Sequence, residues 1–247
     1  MKTSNIILKQ NPLIKAKFNW IYKESHHDII NGLVHIFQNS LLINRENVNL
    51  FNYDLLEYKK VHISADKLRS ICKFGKREND YMFDILKSIR DQSATLINFK
   101  DEDGVFYKKK TLSFLDSVGI IKNDTDKRKD DFEIVFSSDF IKIATKAFNL
   151  KIGNFTQVPL SNVTTLNSKH AKRLYEMILS HLEYKEQWTL NKDQLDILFD
   201  MENKPLSYIV RTIQRNYNHV YKLIHFSYEV HKKDKLISFY FDKDITY

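Results

Sequence analysis

Turn formers are scarce in this chain, with 5 glycines and 3 prolines in 247 residues. A many-stranded sandwich needs frequent turns, so helices and hairpins are the better expectation. A single cysteine, Cys72, excludes an intramolecular disulfide and any cysteine-clustered zinc site. Its place in the apolar pattern Leu68, Ile71, Cys72 marks it as a core residue. No apolar run approaches the roughly 18 residues needed to span a bilayer. The apolar stretch within the N-terminal MKTSNIILKQNPLIK is too short for a signal peptide, so a cytoplasmic location without membrane contact is expected.

Catalytic signatures are missing too. The chain has no glycine-rich phosphate loop, no dinucleotide fingerprint and no nucleophile elbow. A rolling-circle nicking enzyme would need a His-apolar-His pair, and none occurs. His26-His27-Asp28 lacks a partner cluster at ligand spacing, and adjacent residues diverge on a helix, so these three read as the solvated start of a helix. Asp130-Asp131 sits in a charged stretch and reads as loop. No enzymatic activity, metal or cofactor is expected.

What is present is apolar residues enough for real cores, 43% hydrophobic and 13% aromatic, and a formal charge of +8 with a pI near 9.2. A basic excess suits a polyanionic partner, because each Lys or Arg set on a phosphate releases counterions. Residues 166–247 hold 13 Lys/Arg against 11 Asp/Glu and the first 165 hold 26 against 20, so the excess forms no basic tail.

The chain also repeats itself. Shifted by 127 positions, residues 63–114 fall on 190–241 without a gap. Ile63 meets Leu190, Leu68 meets Leu195, Ile71 meets Leu198, Tyr81 meets Tyr208 and Leu86 meets Ile213. Phe99 then meets Phe226, Leu112 meets Phe239 and Phe114 meets Phe241. Two copies of one small domain account for this.

In the second copy Ser168 is placed to cap a helix whose stripe is Ala171, Leu174, Tyr175, Ile178, Leu179 and Leu182. Trp188-Thr189-Leu190 reads as a short strand, and Asn191 caps a helix through Leu195, Leu198 and Phe199. Pro205 opens a third helix burying Ile209, Val210, Ile213, Tyr217 and Val220, and strands near Leu223–His231 and Lys235–Phe241 complete the unit. Helix, strand, helix, turn, helix, hairpin is the winged-helix order.

The first copy follows: a helix near Asp28–Leu42, a strand Val61-His62-Ile63 with Ser64 as cap, and a second helix through Cys72. Asn79 or Asp80 should cap a third helix at Tyr81–Asp91. A wing is expected from Thr95 to Leu115, a surface loop at Lys122–Asp131, a strand at Phe132–Phe136 and a helix from Asp139 to Phe148. The expected architecture is therefore α+β, two tandem winged-helix domains at 1–148 and 167–247, joined by a Gly/Pro/Ser-containing linker at 149–166.

Third helices of this motif lie in the DNA major groove. Off the apolar stripe, the second copy offers Ser207, Tyr208, Arg211, Thr212, Gln214, Arg215, Asn218 and Lys222, preceded by Lys204; Arg211 and Arg215 lie one turn apart. The first offers Lys76, Arg77, Lys87, Ser88 and Arg90, interrupted by Asp84 and Asp91. Lys108, Lys109 and Lys110 in one hairpin and Lys232, Lys233 and Lys235 in the other suit phosphate contacts. Lysines at hairpin tips also serve simply to keep sheet edges soluble.

Two stretches resemble the iteron-plasmid replication initiators. Leu166-Asn167-Ser168-Lys169-His170-Ala171-Lys172-Arg173-Leu174-Tyr175-Glu176 matches the family's serine followed by an Arg-Leu-Tyr-Glu helix, and Phe226-Ser227-Tyr228-Glu229-Val230-His231-Lys232-Lys233 matches its lysine-rich wing. The resemblance implies monomers that bind direct repeats, the iterons, at a plasmid origin and open the neighbouring AT-rich DNA. It implies host partners, the replication initiator and the replicative helicase, and homodimers joined mainly through the first domain that repress the protein's own promoter. The second domain would be the principal DNA reader. The family pattern of consecutive arginines and a proline in the last recognition helix is absent from Lys204-Pro205-Leu206-Ser207-Tyr208 and Arg211-Thr212-Ile213-Gln214. Which side chains read bases is therefore open. The alternative function is a winged-helix transcriptional regulator with no origin role.

Overall fold

The computed structural model describes residues 6–18, 23–43, 59–75, 78–100, 105–126, 129–146, 155–182 and 186–241. In chain order come β1 (Ile6–Gln10), α1 (Asn11–Ile14), β2 (Lys17–Phe18) and the long α2 (Glu24–Ile43). Then follow β3 (Lys60–Ser64), α3 (Ala65–Cys72), α4 (Asn79–Arg90), β4 (Ala94–Lys100), β5 (Phe106–Leu112), β6 (Leu115–Ile121), β7 (Asp131–Phe136) and α5 (Ser138–Lys146). β8 (Phe155–Pro159) and α6 (Leu160–Thr165) lead into α7 (Lys169–Leu182), β9 (Gln187–Asn191), α8 (Lys192–Phe199), α9 (Leu206–Tyr221), β10 (Phe226–His231) and β11 (Leu236–Phe241).

The duplication is real in the helix-turn-helix. Both bounds of β3 and α3 fall 127 residues before those of β9 and α8, and α4 starts 127 before α9. The caps repeat as well. Ser64 Oγ accepts from the Lys67 amide, while Asn191 and Gln194 form a reciprocal capping box. Both second helices end on a left-handed residue, Lys73 (φ 51°) and Asp200 (φ 56°), which turns the chain toward the third helix.

Beyond the third helix the copies diverge. In the second unit β11 lies between β10 and β9. In the first, the strand between two neighbours is β7, flanked by β6 and β3. Ile121 opposite Asp131, with Ser64 beyond, thus matches His231 opposite Leu236, with Asn191 beyond. The first wing is therefore β6–β7, its loop the charged stretch after Lys122, and the hairpin β4–β5 expected to be the wing is an insertion that pairs instead with β2. Apolar alternation has a period of two, so an inserted hairpin carries the same pattern as the strands it displaces.

Other boundaries also shift for physical reasons. Neither Asn79 nor Asp80 caps α4; Glu78 holds that position without a side-chain bond. Asn79 is diverted, accepting from Arg69 and donating to Asp130 at 3.1 Å. Asp130 is buried rather than solvated, and its carboxylate also accepts from the Asn123 amide at 2.8 Å. Pro205 precedes α9 as its N-cap.

The stretch read as a linker contains β8 and α6, and β8 pairs antiparallel with β1 from Ile6↔Pro159 to Gln10↔Phe155. The two ends of the first half are thus closed on each other beside α7. One apolar core runs through the described residues. Its first half centres on Phe37, Phe114, Phe136 and Phe140, with Phe136 and Phe140 stacked at 5.1 Å. Cys72 is buried there, and burial pushes its thiol up, which keeps it unreactive.

Candidate nucleic-acid interface

The hydrophobic face of α9 buries Ile209, Ile213 and Val220. That leaves Ser207, Tyr208, Arg211, Gln214, Arg215, Asn218 and Lys222 exposed along the opposite side. Neither Arg211 nor Arg215 is held in an ion pair among the described residues. Two guanidiniums one helical turn apart on a solvated face are positioned for bidentate contacts to guanine edges or phosphates.

At the start of this face Lys204 lies over the Tyr208 ring at 5.6 Å, and Tyr208 is 43% exposed. The wing adds Lys232, Lys233 and Lys235, all exposed at the tight β10–β11 turn. Thr212 departs from expectation: it is buried, and its hydroxyl donates to the Tyr208 carbonyl at 3.1 Å. It faces the core side of the helix and does not join the exposed stripe.

The first unit presents a mixed face. Lys87 is exposed, but Arg90 is tied to Asp91 at 2.5 Å and 2.7 Å, and Ser88 sits 3.2 Å from the His26 ring. Asp80, Asp84 and Asp91 are exposed around them. Lys76 and Arg77 lie outside the described residues. Tyr81, the 127-residue counterpart of Tyr208, is likewise exposed, at 38%. The same exposed tyrosine thus stands on the first turn of both third helices, edge-on to Phe74 in the first and under Lys204 in the second.

Lys108 and Lys109 project from the edge strand of the inserted hairpin, and Lys110 lies 4.9 Å over the Tyr107 ring. The true first wing instead carries Lys122 and Lys129, both exposed, which the sequence assigned to a surface loop. No local signal marks them, because the β3–β7 pairing that makes β6–β7 the wing is set by tertiary packing.

His26, His27 and Asp28 are not solvated; they are buried in the early turns of α2. His27 donates to Glu176 at 2.8 Å, and Lys172 donates to Asp28 at 2.5 Å. Among the described residues no group of three or more His, Cys, Asp or Glu is placed to hold a metal ion, and no helix is long and apolar enough to cross a membrane.

A family model described as Initiator Replication protein, WH1 matches residues 6–179. The chain belongs to the initiator replication protein family. The match to this initiator family runs from β1 into α7, the helix that also opens the second winged unit. Among solved structures, the chain is similar to the Pi initiator protein in complex with iteron DNA, at 13% identity and a TM-score of 0.54, covering 99% of this chain and 100% of that one. It is also similar to domains 2 and 3 of RctB, at 11% identity and a TM-score of 0.50, covering 87% and 82%. At such identities the likeness is one of fold, and it spans both winged-helix units described above. No curated protein sequence matches the chain.

Proposed function

We propose that this family member initiates plasmid replication by binding iterons, the direct repeats of its origin, as double-stranded DNA. The observation that carries the proposal is the solvated face of α9, with Arg211 and Arg215 unpaired among the described residues and a lysine-tipped wing beside it. Family membership and the likeness to an initiator held on iteron DNA support it. The protein acts by binding and not by bond chemistry, needs no cofactor, and works in the cytoplasm. Monomers bind iterons and recruit the host replication initiator and replicative helicase; homodimers repress the protein's own promoter. The second unit is the principal reader, since its polar face lacks the acids that interrupt the first.

The test is a binding titration on a direct-repeat duplex from DNA flanking the gene, over a range of salt. Discrete shifted complexes should form, and affinity should fall steeply as salt rises. Arg211→Ala or Arg215→Ala should cost about 1–3 kcal/mol, roughly 5- to 150-fold in Kd, if the side chain contacts a base. Wild-type affinity in both variants would remove these arginines from the interface. Failure to support maintenance of a plasmid carrying that origin would leave a transcriptional role in place of initiation.

A further inference from the structure

The first helix of the second unit is fastened to the first half of the molecule by buried charge. α7 is buried on every side from Ala171 to Ile178, including Lys172, Arg173 and Glu176 at 0%, 5% and 1% exposure. Glu176 accepts from Lys9 of β1 at 2.6 Å and from His27 and Asn31 of α2, each at 2.8 Å. Lys9 also donates to Asn31 at 2.9 Å. Lys172 is paired with Asp28, and Arg173 donates both to the Ala16 carbonyl, at 2.8 Å, and to the Leu198 carbonyl at the end of α8, at 2.7 Å.

A seam of this kind is a poor way to gain stability. Desolvating the charges offsets most of their attraction, and apolar side chains of equal volume would hold two helices together as well. Apolar contact is non-directional, however, and lets helices slide or rotate, whereas a carboxylate satisfied by donors from two elements fixes position and angle together. Position here has a consequence for DNA. α4 packs on α2, α2 on α7, and α7 on α9, so the α2–α7 seam sets where one third helix stands relative to the other.

We infer that Glu176, Lys172 and Arg173 are positioning residues for DNA binding: they hold α4 and α9 at one separation and helical phase, so the chain selects duplexes by the spacing of the two contacted segments as well as by their bases. The inference rests on the DNA-binding function proposed above. Preorganisation of two readers raises affinity only when both segments lie within reach at once, and one inserted base pair both lengthens the duplex and rotates one segment about its axis.

The experiment uses the full chain and two duplexes: the direct repeat, and the same repeat with one base pair inserted between the segments that footprinting assigns to the two units. Wild-type protein should bind the inserted duplex about tenfold or more weakly. Glu176→Gln keeps the shape of the side chain but removes its charge, and should bring the two affinities to within about threefold while leaving protection of the α9 segment intact. Lys172→Met combined with Asp28→Asn removes a whole ion pair and serves if Glu176→Gln fails to fold by circular dichroism. A folded variant that keeps the wild-type spacing preference overturns the inference, as does a wild-type protein indifferent to the insertion. A wild-type protein that binds neither duplex overturns the proposed function itself, and this inference with it.

Discussion

At the scale of single residues, the side of α9 that faces solvent makes Arg211 and Thr212 separable although they are neighbours in sequence. The Thr212 hydroxyl is buried on a carbonyl of its own helix. Thr212→Val should therefore leave DNA affinity unchanged within about twofold and alter stability by less than about 1 kcal/mol, since the bonded carbonyl keeps its helical partner. Arg211→Ala should do the reverse, weakening binding without lowering the melting temperature; parallel titration and thermal melts check both. The exposed face was legible because apolar residues at helical spacing subtract cleanly, and a threonine, which fits either side, is where subtraction fails. Lys172, Arg173 and Glu176 were illegible for a different reason. Pattern reading sends charge to water, and the partners that draw Glu176 inward lie 145 to 167 residues away in the chain.

At the scale of elements, the packing of α2 on α3 turns on a glycine. A Cβ added at Gly32 would lie 2.7 Å from Cys72 Sγ and 3.3 Å from Ile71 Cγ2. Alanine in mid-helix ordinarily stabilises relative to glycine, but here it drives the two helices apart. Gly32→Ala should cost about 1–3 kcal/mol by denaturant unfolding, and Cys72→Ala in the same chain should recover part of that cost, a coupling that independent sites would lack. The wing makes a second prediction. Replacing Lys232 and Lys233 with alanine should weaken binding about equally for specific and random duplexes. It should also reduce the slope of log affinity against log salt by about 0.9 for each phosphate that the missing lysines would have neutralised. Helix positions and the caps Ser64 and Asn191 were readable because local chemistry determines them, while the α4 cap was not, because Asn79 is drawn to Arg69 and Asp130 instead. Strand partners are chosen by tertiary packing, and so the β4–β5 hairpin was taken for a wing that β6 and β7 in fact make.

At the scale of the whole molecule, the junction of α2 with α7 should respond to acid. Burial, reinforced by nearby lysine or arginine charge, lowers His26, His27 and His170 from their usual 6.5 to about 4, with Glu176 partly opposing the effect at His27. Each group with a depressed folded value contributes stability that is present above pH 6.5 and is lost as pH falls toward 4. For Glu176 burial alone would raise the carboxyl, but His27 and Lys9 outweigh it and hold it well below the usual carboxylate range, so its contribution is lost only at lower pH still. Asp28 runs the other way: burial raises it to about 6 despite Lys172, so its contribution is present below pH 3.8 and disappears as pH rises through 6. Three histidines against one aspartate give a net loss of stability between pH 6.5 and 4. Unfolding titrations across that window should show the folded state taking up fewer protons than the unfolded one, and His27→Gln, which keeps a donor toward Glu176, should reduce that difference by up to one proton. A profile unchanged by His27→Gln would mean that this ring does not titrate with unfolding, and that the acid sensitivity lies in His26 of α2 and in His170, whose ring faces Phe199 of α8.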